Sequence, residues 1–358
     1  MLYGTAYDLE RMNVIKKRAG MAAWRMWLAG VGVLTTLAAG AGTGAAAADA
    51  PRCKSVSVAV PLTEGGPLDQ RIAGTLCRPR GGARTIQVLV PGGTYDRSYW
   101  LRKGGDGPSF TETMVRAGYA VLAIDRLGAG RSSWPSGAQM RPDSHQASLR
   151  QVVRAARQGK LDGHRYRRVV AAGNSVGSTI IRAVEARNPD TLDGIILTGE
   201  SSTPNERAFE EFAGAIHPAS EDPRFTARRL DEAYYTTRPG TRADWFYHRP
   251  GARPEVIARD EATKEPDTFL ESFPPITDNR LIRVPVLIMV GDHDRLLCGE
   301  GATDCTGSAA LREQQKRWYP NAPLEAVVIP NTGHVLTLHR SASASSALAL
   351  DWVRRYIR

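Results

Sequence analysis

Residues 168–186 read RVVAAGNSVGSTIIRAVEA, and the fold turns on how this stretch is read. Arg168 to Ala172 is a short β-branched run of the kind that fills a buried strand. Val176 to Ala186 carries Val176, Ile180, Ala183 and Val184 at helical spacing. Between them stands Gly173-Asn174-Ser175-Val176-Gly177, a G-x-S-x-G pattern. A strand that turns straight into a helix places the middle residue in strained backbone at the tip, with glycines beside it where side chains would strike the neighbouring strand and helix. The hydroxyl then points away from the sheet at the positive end of a helix. The five-residue pattern alone is weak, and Ser175 could be a helix cap beside turn glycines; the strand-to-helix context makes it a candidate nucleophile.

The same rhythm extends in both directions. Upstream, Ser55–Leu62, Arg71–Cys77, Thr85–Val90 and Tyr119–Ile124 read as strands, and Phe110–Ala117 and Ser144–Gln158 as helices. Downstream, Leu192–Leu197, Val284–Val290 and Leu324–Ile329 read as strands, with helices near Ala309–Trp318 and Ser345–Tyr356. Short buried runs alternating with helices imply an α/β fold, a mostly parallel central sheet with helices on both faces. The first two strands have no helix between them and predict an antiparallel edge. Residues 201–283 break the rhythm, hold ten aromatics and no β-branched run, and read as a helical cap or lid inserted between two strands. The catalytic domain is then residues 49–200 and 284–358.

Residues 1–48 read as a secretory signal: Lys16, Lys17, Arg18 and Arg25, an apolar run from Met26, and small residues ending Ala46-Ala47-Ala48. The apolar run is short for a membrane span. Export to a secreted, extracellular or periplasm-like space follows as the expectation, with no stable membrane insertion after cleavage. The chain of 358 residues carries 47 Lys and Arg against 37 Asp and Glu. Its arginines are spread out, and no dense basic block survives cleavage, which argues against a nucleic-acid partner. Cys53, Cys77, Cys298 and Cys305 suggest two disulfides in an exported chain. Of the three pairings open to them, sequence neighbours, Cys53–Cys77 and Cys298–Cys305, are the simplest. No metal-ligand spacing is present.

Four further segments extend the pattern: Pro91-Gly92-Gly93-Thr94 after one strand, Asp125-Arg126-Leu127-Gly128-Ala129-Gly130-Arg131-Ser132 after another, Gly291-Asp292-His293-Asp294, and Gly333-His334 after the last. With Ser175 they make the chain resemble the α/β-hydrolase family, as a secreted serine esterase- or lipase-like member, from about Ser55 to the C-terminus apart from the insertion. The order Ser–Asp–His is the family's own. The resemblance implies Ser175 as nucleophile, His334 as general base and Asp294 as the acid that orients it. His334 is also the best placed histidine on its own context, because it follows a strand in a Gly-flanked loop, whereas His339 reads as a surface residue at a helix start. Asp292 and Glu200 are alternative acids. The oxyanion hole would take backbone N–H groups from Val176 and from Gly93 or Thr94. Pro91 departs from the histidine usual in that loop.

An imidazole takes the serine proton, and a carboxylate on its other nitrogen fixes the tautomer. The expected activity is cleavage of a carboxylic ester of a moderately apolar small molecule through an acyl-enzyme on Ser175, with no cofactor. The same triad would serve an amide, lactone or thioester hydrolase or an acyltransferase. A catalytically silent binding protein is the reading from another class. Serine at position 175 excludes the carboxylate-nucleophile chemistries of this fold. Oligomeric state is not legible.

Overall fold

A computed structural model of the chain describes residues 52–268 and 277–357. The expected leader, 1–48, and Phe269 and Phe273 of the insertion lie outside the described residues.

The chain opens with β1 (Arg52–Val60), β2 (Gln70–Arg78) and β3 (Thr85–Val90), then short α1 (Ser98–Leu101), α2 (Phe110–Arg116) and β4 (Ala120–Ile124). It continues with α3 (Ser144–Gln158), β5 (Arg168–Asn174), α4 (Val176–Arg187) and β6 (Gly194–Thr198). The insertion follows, with α5 (Glu206–Phe212), β7 (Ile216–Pro218), β8 (Tyr235–Thr237), α6 (Arg242–Trp245) and α7 (Pro254–Ala262). The chain then returns to the sheet with β9 (Val286–Gly291), α8 (Ser308–Lys316), β10 (Leu324–Ile329) and α9 (Ala342–Tyr356).

Eight strands form one sheet in the order β1-β2-β4-β3-β5-β6-β9-β10. The pairs β1–β2 and β2–β4 are antiparallel and the rest are parallel, so the antiparallel edge is where the sequence placed it. Every residue of β3, β4, β6 and β9 is buried, which is what a strand covered on both faces requires of its sequence. One face packs on α3, α4 and α8 through Leu149, Val152, Ile180, Val184 and Leu311. The other packs on α2 and α9 through Phe110, Met114, Trp352 and Val353. Local signals set the helix ends. Ser109 and Glu112 form a capping box at the start of α2, and Gly159, at φ 78°, closes α3.

Two features refine the reading. Residues 201–283 contain an antiparallel ribbon, β7–β8, beside their short helices. Strands of three residues leave too little alternation to be seen in sequence. The cysteines pair as neighbours, Cys53–Cys77 and Cys298–Cys305. Cys53 lies directly opposite Cys77 in the β1–β2 register. Because β1 runs in the same direction as the parallel strands, Arg52 sits at their amino end.

Candidate active site

Ser175 stands between β5 and α4 at φ 51° and ψ −122°. A non-glycine residue with positive φ is uncommon, and one with this ψ is held by its surroundings at a cost on the order of 1–3 kcal/mol. The flanking glycines make the turn sterically feasible. A methyl group at Gly177 would lie 2.7 Å from the Pro91 carbonyl oxygen, and one at Gly173 would lie 2.6 Å from the Gly177 carbonyl carbon. The Ser175 N–H is tied to the Thr198 carbonyl oxygen at 2.8 Å, which fixes the turn against β6.

His334 and Asp294 meet at this same end of the sheet. Nδ1 of His334 lies 3.1 and 2.9 Å from the two carboxylate oxygens of Asp294, and both residues are buried. Asn174, the neighbour of Ser175, donates from Nδ2 to the His334 carbonyl oxygen at 3.2 Å. A methyl group at Gly199, at the end of β6, would lie 3.2 Å from Cε1 of the His334 ring and 3.0 Å from Asn174 Nδ2. Nε2 of His334 is buried and makes no hydrogen bond, so the Ser175–His334 bond is not closed in this structure. Catalytic hydrogen bonds of this kind often close only with substrate present.

The alternative acids stand elsewhere. Asp292 accepts from the N–H groups of Asn331 and Thr332, each at 3.0 Å, and from His293 Nδ1 at 2.7 Å. Burial opposes its ionised form, but the bonds from His293, Thr332 and Asn331 hold its carboxyl below the usual range. It fastens the loop that carries His334. Glu200 pairs with Arg182 at 2.7 Å.

His339 is not the surface residue expected from sequence; it is fully buried. Its Nδ1 donates to the Val335 carbonyl oxygen at 2.9 Å. Its Nε2 accepts from the N–H of Gly333 at 3.0 Å and of His248 at 3.1 Å. It therefore ties the loop before His334 to the insertion. Burial pushes its pKa down to about 4, with the neighbouring His248 acting the same way and the Val335 bond and Asp294 and Asp292 opposing it. The ring is thus neutral at pH 7, as an acceptor nitrogen must be.

Of the N–H groups considered for an oxyanion hole, one needs correction. Thr94 N–H donates to Asp267 Oδ2 at 2.9 Å and is not free for a substrate oxygen. Gly93 N–H has no hydrogen-bond partner among the described residues, and Val176 opens α4, where N–H groups lack intrahelical partners. Gly92 approaches Ser175 closely, since a methyl group there would lie 3.4 Å from Ser175 Cβ. The D-x-x-G-x-G-x-S turn is held by its own bonds and by Arg97. Asp125 accepts from the N–H groups of Arg97 and Arg131, both at 2.8 Å, and Ser132 donates to the Asp125 carbonyl oxygen at 2.8 Å.

Several charged residues around the site were not singled out from sequence. Arg126 is buried and pairs with the buried Asp267 of the insertion. Arg242, also buried, pairs with Asp260 at 3.0 Å. An arginine two residues past a strand's apolar run, as in YAVLAIDR, is the one cue that could have drawn attention to Arg126; its partner is too distant in sequence to be found without coordinates. The insertion's described aromatics divide: Phe225 and Tyr234 make a small core of their own, whereas Trp245, Phe246 and Tyr247 join the cluster that packs against the sheet with α2 and α9. All five are buried, and the Phe246 ring centroid lies 5.8 Å from that of His334.

Comparison with known proteins gives the family and the fold. A family model described as the Alpha/beta hydrolase family matches residues 87–345. No curated protein sequence matches the chain. Among solved structures, a thermophilic esterase from Thermogutta terrifontis superposes with a TM-score of 0.59 at 18% identity, covering 85% of this chain and 100% of that one. A carboxylesterase from Bacillus subtilis gives 0.54 at 13% identity, covering 97% of each chain. An esterase from Pyrococcus furiosus gives 0.52 at 15% identity, covering 89% of this chain and 96% of that one. At these identities the superpositions establish the fold, and the family match spans most of the chain. The protein belongs to the alpha/beta hydrolase family.

Proposed function

We propose that the protein is an exported serine hydrolase that cleaves a carboxylic ester of a moderately apolar small molecule. The observation that carries this reading is the strained Ser175 turn at the same sheet end as the His334–Asp294 pair. His334, its Nδ1–H donated to Asp294, presents a basic Nε2. On closure with substrate it takes the Ser175 proton as the hydroxyl adds to the ester carbonyl. The N–H groups of Gly93 and Val176 stabilise the oxyanion, and the alcohol leaves with the proton from His334. Water, activated by the same imidazole, releases the acid.

Structural neighbours that are esterases favour an ester over an amide. Two disulfides suit an oxidising compartment and support export. Among the described residues no helix is long and apolar enough to cross a membrane. The test is covalent labelling by a fluorophosphonate together with turnover of p-nitrophenyl esters of rising chain length. Labelling and turnover that vanish in Ser175→Ala support the reading. A folded protein that neither labels nor turns over would place it among silent members of the fold.

A further inference from the structure

Thr94 follows Gly93 in the loop beside Ser175, and its backbone sits at φ 62°. Left-handed backbone is unfavourable for a β-branched residue, so it persists only when neighbours enforce it. All three hydrogen-bonding groups of Thr94 are held, and every partner comes from the insertion. Its N–H donates to Asp267 Oδ2 at 2.9 Å, its Oγ1 accepts from Arg242 Nη1 at 2.7 Å, and its carbonyl accepts from the Glu265 N–H at 3.0 Å.

The residues just before it are held from the sheet side. Arg126 donates from Nε to the Pro91 carbonyl at 3.1 Å and from Nη2 to the Gly92 carbonyl at 2.9 Å, and its guanidinium also binds both oxygens of Asp267. Arg242 is fixed in turn by Asp260 and lies over the Tyr95 ring, 4.2 Å from its centroid, while Tyr95 donates to Asp260 at 2.9 Å. A loop held this way on both sides has one conformation rather than several, and preorganised donors are what an oxyanion hole requires.

We propose that the insertion is a structural half of the oxyanion hole: Asp267 and Arg242 hold Thr94 in its left-handed conformation and so set the direction of the Gly93 N–H, with Arg126 as the strut between insertion and sheet. These three are positioning residues, since none of them touches the reacting atoms. The proposal rests on the serine-hydrolase reading for its kinetic consequences, while its structural claim stands apart from activity.

The decisive variant is Asp267→Asn in the full chain, with Thr94→Val as a second that removes no charged group and takes away only the Oγ1 acceptor of Arg242. Active-site titration with a fluorophosphonate counts competent molecules, so that rates are read per reactive serine. Asp267→Asn is expected to lower kcat per titrated site by roughly 10- to 100-fold and to weaken a trifluoromethyl ketone transition-state analogue by a similar factor, with KM little changed. Thr94→Val shifts both in the same direction by less. In the Thr94→Gly background the further loss from Asp267→Asn shrinks, because glycine reaches positive φ without strain. A crystal structure of Asp267→Asn shows residue 94 leaving the left-handed region. Retention of φ near its present value with unchanged kcat per titrated site, or an equal loss in both backgrounds, overturns the proposal. The serine-hydrolase reading is judged separately, by whether the wild type labels at Ser175 at all.

Discussion

His334 points its Nδ1 at Asp294, 2.9 Å from the nearer carboxylate oxygen, while Asp292, two residues earlier in the same turn, spends its oxygens on the N–H groups of Asn331 and Thr332. Two carboxylates from one loop thus take different tasks, one orienting a ring and the other holding the backbone that carries it. Asp294→Asn should leave thermal unfolding almost unchanged and lower kcat by about three to four orders of magnitude, by leaving the imidazole in the wrong tautomer. Asp292→Asn should instead lower stability and activity together, and a melting curve beside a kcat measurement distinguishes them.

The buried His339 predicts how the fold responds to acid. Its pKa is depressed to about 4 from an ordinary value of 6.5. The unfolded chain therefore binds a proton that the folded chain refuses as pH falls through about 6.5, and stability declines from there until the folded-state value near 4 is reached. The size is about 3 kcal/mol over that window. His145 is buried beside Arg126, and both effects hold its pKa well below the usual value, adding a loss of the same sign. Urea unfolding at pH 7 and pH 4.5 measures the slope. His339→Gln should flatten it while weakening the loop before His334 at neutral pH.

The glycines of the Ser175 turn are required by space. Gly177→Ala would press a methyl group against the carbonyls of Val90 and Pro91. Overpacking of this kind costs about 1–3 kcal/mol and here would also displace the turn. Gly214→Ala, where nothing lies within 4 Å, should be silent. A comparison of melting temperature and fluorophosphonate labelling in the two variants tests the contrast.

The two disulfides should differ in value. Cys53–Cys77 closes a sequence separation of 24 and Cys298–Cys305 one of 7. By loop entropy, removing the first by paired serine substitution costs about 3–4 kcal/mol and the second about 2–3 kcal/mol. Chemical denaturation of the two double variants, each with the other disulfide intact, checks the order.

How far the sequence could be read followed the range of the forces involved. The strands β3, β4 and β9 and the helix α3 were legible because burial on both faces, or a long amphipathic period, writes itself into consecutive residues. The turns that carry Ser175, Asp294 and His334 were legible because each follows a strand. His339 was misread because its burial comes from the insertion, through Tyr247 and His248, and nothing adjacent in sequence foretells it. Thr94 was assigned a donor role that Asp267, 173 positions away, already claims. The ribbon β7–β8 was too short for its period to show.

The direction of β1 has a practical consequence. Its first residues lie at the amino ends of the parallel strands, whereas Ser175, Asp294 and His334 follow their carboxyl ends. The Cys53–Cys77 bond rivets that first strand to its neighbour. A molecule tethered through its N-terminal side, to a cell envelope or to a bead, is therefore gripped by its back. The sheet end that carries Ser175, Asp294 and His334 then lies opposite the tether, and pulling on it loads a covalent staple rather than the loops around Ser175.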